Sequence, residues 1–412
     1  MIDFSSQTKA LFSVQQIQSE IEKLKTLRNQ GFLSLHQGGA NEALWNSSFA
    51  LAEKFRNRFQ KLVICGIGGS SLGFESFQQY FHFDQVIILD NVETSTIEFR
   101  LKGLDLNQLA WTFISKSGGT IETLSTFDWM IEHYEQKQIS WKDRVAVITE
   151  NKASSLKNFA VQNNLPCLEV PLNVGGRYSV FSPVGLFPLF FCGVLKEQVR
   201  SGIKAALQNE KFLVQFVSEL MASFERREWI TSFWFYSSRC QGLGRWISQL
   251  WAESLSKAKD REGRQAPRVS TPLWMIGACD QHSLLQQWME GERDKFVIFM
   301  KMNSPMASQK RIPKILKPRF PETALMKNKN LDELLRIEAN ATQKALSIQG
   351  VSTLEICLQP ESLEELVEFK MLMMMSVGIL GEILNLNAFD QPGVELGKVL
   401  TKQMLIDQAH LI

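Results

Sequence analysis

Residues 62–73 read LVICGIGGSSLG and join a short apolar run to a glycine-rich turn. Four apolar residues, Leu62 to Cys65, have the length of a buried strand. The turn that follows lets the backbone approach a ligand closely, and a helix beginning there offers free N–H groups to an anion or a polyhydroxylated molecule. We therefore predict a strand, a ligand-binding turn and a helix in this segment.

Further apolar runs alternate with helical patterns on the C-terminal side of this segment. Strand, helix, strand at this spacing predicts a parallel sheet with helices on both faces, which binds ligands beyond the carboxyl ends of its strands. The remaining strands of this set are predicted at 86–90, 110–115, 145–149 and 167–170. A second set, with strands at 230–237, 269–274, 296–300 and 353–358 and helices at 244–257 and from 361, predicts a second α/β unit.

The fold class is therefore α/β, with two α/β/α sandwich domains, mainly parallel sheets and helical segments at both termini. A chain of 412 residues with 44% hydrophobic content is too long for one ordinary core. We expect a first domain at 1–190, a second at 191–385, and a C-terminal turn and helix at 386–412 that completes the active site. The two sets could be a divergent duplication, although no repeated sequence proves it.

Composition narrows the class of function. The 45 basic and 43 acidic residues nearly cancel, which argues against nucleic acid or a membrane as partner. The six cysteines are scattered and read as reduced core residues of a cytoplasmic protein, and no targeting segment is apparent. The histidines do not cluster with other His or Cys residues into a set of metal ligands, so no metal is expected. The apolar run at 371–386 is too short to span a bilayer and predicts a buried helix.

The loop after the third strand carries a stronger signal than the first turn. It reads SKSGGTIET at residues 115–123 and is followed by an amphipathic helix. Hydroxyls, a lysine and glycine-exposed N–H groups at a helix start are the donors that a phosphate monoester requires. The spacing is not that of a P-loop, so a sugar phosphate is favoured over a nucleotide. Alternatively, Ser and Thr serve here only as helix caps.

Other polar residues could serve chemistry, although each has a structural alternative. Arg177 beside Gly175-Gly176 could stabilise an oxyanion or form a structural ion pair. Gln249 and Glu253 lie four apart on a predicted helix and share one face, where carboxylates are usually solvated. His282 could shuttle protons or flank a helix cap. The turn at 389–398 leads into the last helix.

These segments, in this order, resemble the glucose-6-phosphate isomerase family. The two signature stretches are similar to residues 174–183 and 389–398, and the resemblance also takes in 66–73, 115–123, 249–257 and 280–283. It implies two sugar-isomerase domains with one active site between them, and a metal-independent, cofactor-free exchange of glucose 6-phosphate and fructose 6-phosphate through ring opening and a cis-enediol(ate). It also implies a place in glycolysis and gluconeogenesis.

Each role comes to this chain through the resemblance. Glu253 matches the base that moves a proton between C1 and C2, and Arg177 the group that stabilises the enediolate. His282 matches the ring-opening residue, assisted by Lys398. The positions implied to contact the substrate are Gly69, Ser70, Ser115, Lys116, Ser117, Thr120, Gln249 and Gln391.

The resemblance further implies a homodimer whose partner subunit completes the site with a histidine. Ser256 departs from the family pattern, which has glycine before the lysine that Lys257 matches. Two other functions stay open from the residues alone. One is a non-catalytic sugar-phosphate-binding regulator. The other is a nicotinamide-dependent oxidoreductase, since Asp90 supplies the acid that a dinucleotide fingerprint at 66–73 would need.

Overall fold

The computed structural model describes residues 3–5, 10–33, 40–302, 313–359 and 361–409. The strands of these residues are β1 Asp3–Ser5, β2 Lys61–Cys65, β3 Val86–Leu89, β4 Leu109–Ile114, β5 Val145–Glu150, β6 Cys167–Val170, β7 Ile230–Phe235, β8 Thr271–Ile276, β9 Lys295–Met302 and β10 Ser352–Leu358. The α-helices are α1 Val14–Thr26, α2 Ala40–Arg56, α3 Leu72–Phe81, α4 Thr94–Leu101, α5 Ile121–Gln136, α6 Ser155–Gln162, α7 Pro183–Phe191, α8 Lys196–Gln208, α9 Glu210–Glu225, α10 Gln241–Leu255, α11 Leu285–Glu290, α12 Leu331–Ile348, α13 Leu363–Ile383 and α14 Glu395–Ala409.

The first sheet has the order β3-β2-β4-β5-β6, and all of its strand pairs are parallel. Its strands lie where the sequence predicts them, to within one residue at each end. The chain runs from β2 to β3 in one direction across the sheet and then returns past β2 to β4. The topological switch point of the sheet therefore lies at β2. The loops after β2 and β4 therefore lie side by side at the carboxyl edge, the usual place for a ligand.

The second sheet has the order β1-β10-β9-β7-β8. Its strands from β7 to β10 are parallel and follow the same order as the first sheet, with the first strand between the second and the third. The strand β1 completes it in antiparallel register, with Asp3 opposite Cys357. The predicted α/β fold with mainly parallel sheets is confirmed. The pairing of the N-terminal strand with the second sheet was not predicted, and the domain boundaries stay a prediction.

Helix α13 lies in the core between other helices. It packs against α8, α1, α10 and α9, and its residues from Leu363 to Gly381 are almost all buried. The prediction of a buried helix in this region is confirmed. Among the helices of the described residues, none combines the length and apolar character needed to cross a membrane. Three of the six cysteines, Cys65, Cys240 and Cys357, are buried as predicted, whereas Cys167 and Cys192 are partly exposed and Cys279 is exposed.

The two sheets meet through helices α3 and α10, which begin after β2 and β7 respectively. Their backbones approach so closely at Gly242 that an added Cβ would lie 2.9 Å from the main-chain oxygen of Glu75. A side chain there would separate the helices. This contact brings the glycine turn before α3 against the helix that carries Gln249 and Glu253.

Candidate active site

Arg177 lies at the centre of a polar cluster between the two sheets. It belongs to a 3₁₀ helix, Gly176–Phe181, and only 3% of the residue is exposed. Its Nε donates to Ser254 Oγ at 2.7 Å, and its Nη2 donates to the main-chain oxygens of Ala388 at 2.6 Å and Asp390 at 2.9 Å. These bonds place the guanidinium rigidly, with Nη1 left for the remaining partners.

Glu253 lies beside this guanidinium on α10. Its Oε2 accepts a hydrogen bond from Arg177 Nη1 at 3.2 Å, and its Oε1 accepts one from Gln249 Nε2 at 3.1 Å. The second bond follows from helix geometry, since residues four apart share a face. The carboxylate is 27% exposed, so it is partly withdrawn from water but still reachable. The predicted pair of an amide and a carboxylate is formed.

Gln249 also carries an unused acceptor. Its Oε1 is buried and accepts no hydrogen bond in the described structure. A buried acceptor without a donor costs about 1–3 kcal/mol. A hydroxyl that reached this amide would recover that cost, so the site favours a polyhydroxylated ligand.

The glycine turn faces the same cluster. At Gly69 an added Cβ would lie 2.4 Å from the carbonyl carbon of Gly176, so only glycine permits this approach to the Arg177 segment. Gly68 has a φ of +60° and faces Gln249, whose Nε2 would lie 2.8 Å from an added Cβ. Ser70 ends the turn and is partly exposed. The turn is therefore a wall of the site rather than a free loop.

The loop at 115–120 ends β4 and begins α5. Ser115 Oγ lies 2.8 Å from Thr120 Oγ1 and accepts from the N–H of Gly118 at 3.1 Å. Thr120 is the N-cap residue of α5, but its side chain makes no capping hydrogen bond. The alternative that Thr120 serves only as a helix cap is therefore not supported. The Ser117 side chain is exposed. A 16-residue helix thus directs its start at a hydroxyl-lined loop.

Lys116 connects this loop to Leu172, which precedes the 3₁₀ helix that carries Arg177. Its Nζ lies 3.2 Å from Glu150 Oε1 and donates to the main-chain oxygen of Leu172 at 3.3 Å. Both contacts are at the long end of the hydrogen-bond range. The ammonium is therefore loosely held at the edge of the hydroxyl-lined loop.

The turn at 388–391 closes the cluster from the C-terminal side. Gln391 Oε1 accepts from Arg177 Nη1 at 3.2 Å. Lys257 donates to the main-chain oxygens of Glu253 at 2.8 Å and Asp390 at 2.6 Å. We did not identify Lys257 or Ser254 from the sequence as parts of the site, because their partners are distant in the chain.

His282 and Lys398 lie apart from this cluster. His282 is exposed at the end of the 3₁₀ helix Cys279–His282, which follows β8. Lys398 is exposed on α14, where its Nζ donates to Glu395 Oε1 at 2.7 Å. A single chain therefore brings together Arg177, Glu253, Gln249 and Gln391, and within the described residues no hydrogen bond joins His282 or Lys398 to them.

Two mainly parallel sheets place this cluster and a hydroxyl-lined helix start near their carboxyl edges, an arrangement suited to a phosphorylated, polyhydroxylated ligand. The same fold occurs in a solved glucose-6-phosphate isomerase from Chlamydia trachomatis. That structure has a TM-score of 0.78 and 18% identity, and the match covers 96% of this chain and 86% of that one. A hypothetical protein from Thermus thermophilus is more similar still. Its TM-score is 0.82 at 29% identity, with 95% and 94% of the two chains covered.

Sequence comparison gives the particular family. The family model of phosphoglucose isomerase matches residues 53–410. A glucose-6-phosphate isomerase from Thermus thermophilus is 33% identical over 358 residues, which are 84% of each chain. The chain belongs to the phosphoglucose isomerase family. The prediction of an aldose–ketose isomerase is confirmed by this membership, and the oxidoreductase alternative is set aside.

Proposed function

We propose that this chain interconverts glucose 6-phosphate and fructose 6-phosphate, with Glu253 as the base that carries a proton between C1 and C2 of the open-chain sugar. The observation that supports this assignment is the position of Glu253 between Gln249 and Arg177. A carboxylate accepts the proton, and a buried cation beside it stabilises the negative oxygen of the enediolate. The proton returns to the neighbouring carbon, so no electrons leave the sugar.

The strengths of the Arg177 hydrogen bonds fit this role. Its bonds to the 388–390 backbone are short, whereas both bonds from Nη1, to Glu253 and Gln391, are 3.2 Å. These are the longest hydrogen bonds of the guanidinium and lie at the long end of the N–H···O range. A substrate oxygen can therefore replace them while the backbone contacts keep the guanidinium in place.

The phosphate would bind at the start of α5, where hydroxyls and N–H groups converge. In this proposal Lys116 leaves its long contact with Glu150 and pairs with the phosphate. The glycine turn and the free Oε1 of Gln249 would meet the sugar hydroxyls. The residues that we assign to substrate binding are Gly69, Ser70, Ser115, Lys116, Ser117, Thr120, Gln249 and Gln391.

The first test measures fructose 6-phosphate isomerisation by the purified chain in the presence of a chelator, with glucose 6-phosphate detected through a coupled dehydrogenase. We expect activity in the intact chain and a loss of about 10³-fold or more in Glu253→Gln. Glu290→Gln, an exposed carboxylate at the end of α11, is the matched control and should keep full activity. An inactive intact chain that still binds the sugar phosphate would favour the non-catalytic regulator.

We also propose that the active chain is a homodimer in which the partner subunit supplies the ring-opening histidine. Every residue from 391 to 408 is exposed, and six apolar side chains of α14 are at least 41% exposed, namely Leu396, Val399, Leu400, Met404, Leu405 and Ile406. A helix face of this kind is typical of a protein interface. A second copy that covered it would bring Lys398 under cover as well.

Mixed dimers test the shared site. Glu253→Gln and His282→Ala are each expected to be inactive alone. When the two are co-expressed, a mixed dimer contains one site with both substitutions and one site with neither, so activity should return. If activity does not return although mixed dimers form, each subunit uses its own histidine.

The reaction would take place in the cytoplasm, within glycolysis and gluconeogenesis.

A further inference from the structure

The Lys257 ammonium joins the helix that carries Glu253 to the turn that carries Gln391. Its Nζ donates to the main-chain oxygen of Glu253 at 2.8 Å, to the main-chain oxygen of Asp390 at 2.6 Å and to Asp390 Oδ1 at 2.8 Å. An ammonium has three hydrogens, so all of its donors are used in this junction. Only 7% of the Lys257 side chain is exposed, whereas 50% of the Asp390 side chain is exposed, so the ion pair is shielded from water on the lysine side alone.

The turn itself is internally braced. Asp390 Oδ2 accepts from Asn387 Nδ2 at 2.8 Å, and Asn387 Oδ1 accepts from the N–H of Phe389 at 3.2 Å. Its position relative to α10 therefore depends on contacts made from outside the turn. Arg177 supplies some of them through main-chain oxygens, and Lys257 supplies the ion pair.

Besides their shared contacts with the turn, Arg177 and Lys257 contact different groups. Arg177 also bonds the side chains of Glu253 and Gln391, which the proposed function places against the substrate. The hydrogen bonds of Lys257 within the described residues go to main-chain oxygens and to Asp390. Lys257 thus sits behind the reacting groups, where it affects their spacing without touching the sugar.

We propose that Lys257 is a positioning residue, whose clasp on Asp390 holds the Gln391 turn at the distance from Glu253 that the sugar phosphate requires. This inference rests on the proposed function. Misplacement of a substrate-binding group by about 1 Å can lower a rate about 10²-fold, so a clasp at this junction has a measurable effect.

A lysine at the end of a helix can also stabilise it by bonding the last carbonyl oxygens. The bond to the Glu253 carbonyl does this, and it would be a purely structural role. Asp390 separates the two roles, because Asp390→Ala removes the ion pair and leaves the bonds of Lys257 to the main-chain oxygens of Glu253 and Asp390. If Lys257 works as a clasp, both variants should impair the same step.

The experiment compares Lys257→Met, Asp390→Ala, the double variant and Lys257→Arg in fructose 6-phosphate isomerisation. Lys259→Met, an exposed lysine two residues further along the chain, is the matched control. We expect kcat/KM to fall about 10- to 100-fold in each single variant and no further in the double variant. Lys257→Arg should recover most of the activity, and the control should stay within about twofold of the unchanged chain.

Amide hydrogen exchange supplies a readout that does not depend on catalysis. The amides of 387–391 should exchange faster in Lys257→Met and Asp390→Ala than in the control. The proposed positioning role of Lys257 is wrong if the exchange of these amides is unaffected. It is also wrong if the two single losses of kcat/KM multiply in the double variant. It is also wrong if Lys257→Met loses only thermal stability while Asp390→Ala keeps full activity. An inactive intact chain would refute the proposed function, while the exchange measurement would still decide whether the clasp exists.

Discussion

Replacement of Lys370 by methionine should stabilise this protein. The residue lies in α13 and is completely buried. Its Nζ donates to Ser76 Oγ at 2.5 Å and lies 3.5 Å from the ring centroid of Trp246, so its hydrogen bond goes to a hydroxyl rather than to a carboxylate. Burial lowers the pKa of Lys370 well below its ordinary value. The folded protein therefore holds this side chain at a cost.

The size of the expected stabilisation follows from a comparison of the methionine side chain with the lysine side chain that it replaces. It fills nearly the same volume without a group that must be desolvated, and such replacements of buried ionisable groups gain about 1–4 kcal/mol. Loss of the bond to Ser76 offsets about 1 kcal/mol, although Ser76 keeps its own bond to the Gly73 oxygen. We expect a net gain of up to about 3 kcal/mol near neutral pH, which raises the Tm of a chain of this length by up to roughly 4 °C.

The lowered pKa of Lys370 also determines how the free energy of unfolding changes with pH. The unfolded chain keeps the lysine proton up to about its ordinary pKa of 10.5, whereas the folded chain releases it at lower pH. Between these two values the unfolded state binds more protons, so this residue makes the free energy of unfolding rise with pH. Methionine removes that contribution. The advantage of Lys370→Met should therefore be largest at low pH and shrink as the pH rises toward 10.5.

Urea unfolding followed by tryptophan fluorescence, at about pH 6, 7.5 and 9, measures this difference for the unchanged chain, Lys370→Met and the exposed control Lys259→Met. The control should match the unchanged chain at each pH. If Lys370→Met is less stable throughout, the ammonium is charged in the folded state and its contact with the Trp246 ring outweighs desolvation. That result would refute the reasoning.

Three further variants test the site. Arg177→Lys should lower kcat/KM about 10²- to 10³-fold in the coupled assay, because one ammonium cannot span both Glu253 and the 388–390 backbone. Gly69→Ala should lower the free energy of unfolding by about 1–3 kcal/mol in urea, since its Cβ would lie 2.4 Å from the Gly176 backbone, and unchanged stability would contradict the packing described for this turn. Lys116→Met should raise KM for fructose 6-phosphate about tenfold with little change in kcat, and an equal fall in kcat and kcat/KM would point to a transition-state role instead.

Local sequence patterns predicted most strands because parallel strands are buried on both faces and read as apolar runs. The errors have physical causes. β8 was predicted at 269–274 but lies at Thr271–Ile276, with Pro272 inside it, which is tolerated because β8 is at the edge of its sheet. Helix α10 begins at Gln241, three residues before its predicted start. Gly242 and Gly244 weaken a helical pattern, yet both are needed where α10 packs against α3 and against Trp274.

The site was predictable where one element carries two partners, as for Gln249 and Glu253. Long-range partners were not predictable from local pattern alone, because nothing near Ser254 in the sequence indicates that its hydroxyl accepts from Arg177. The same is true of Lys257 and Asp390, which meet only after both sheets are assembled. The roles of His282 and Lys398 stay predictions that depend on a second subunit.

The position of β1 has a consequence for synthesis on the ribosome. Asp3 pairs with Cys357, so β1 leaves the exit tunnel about 350 residues before its partner strand is made. At about 5–20 residues per second, that delay is on the order of tens of seconds. The first sheet, complete by Val170, can assemble meanwhile, whereas the second sheet keeps an open edge until β10 has been made. Nascent chains are therefore most exposed to misassembly and to chaperones at that edge.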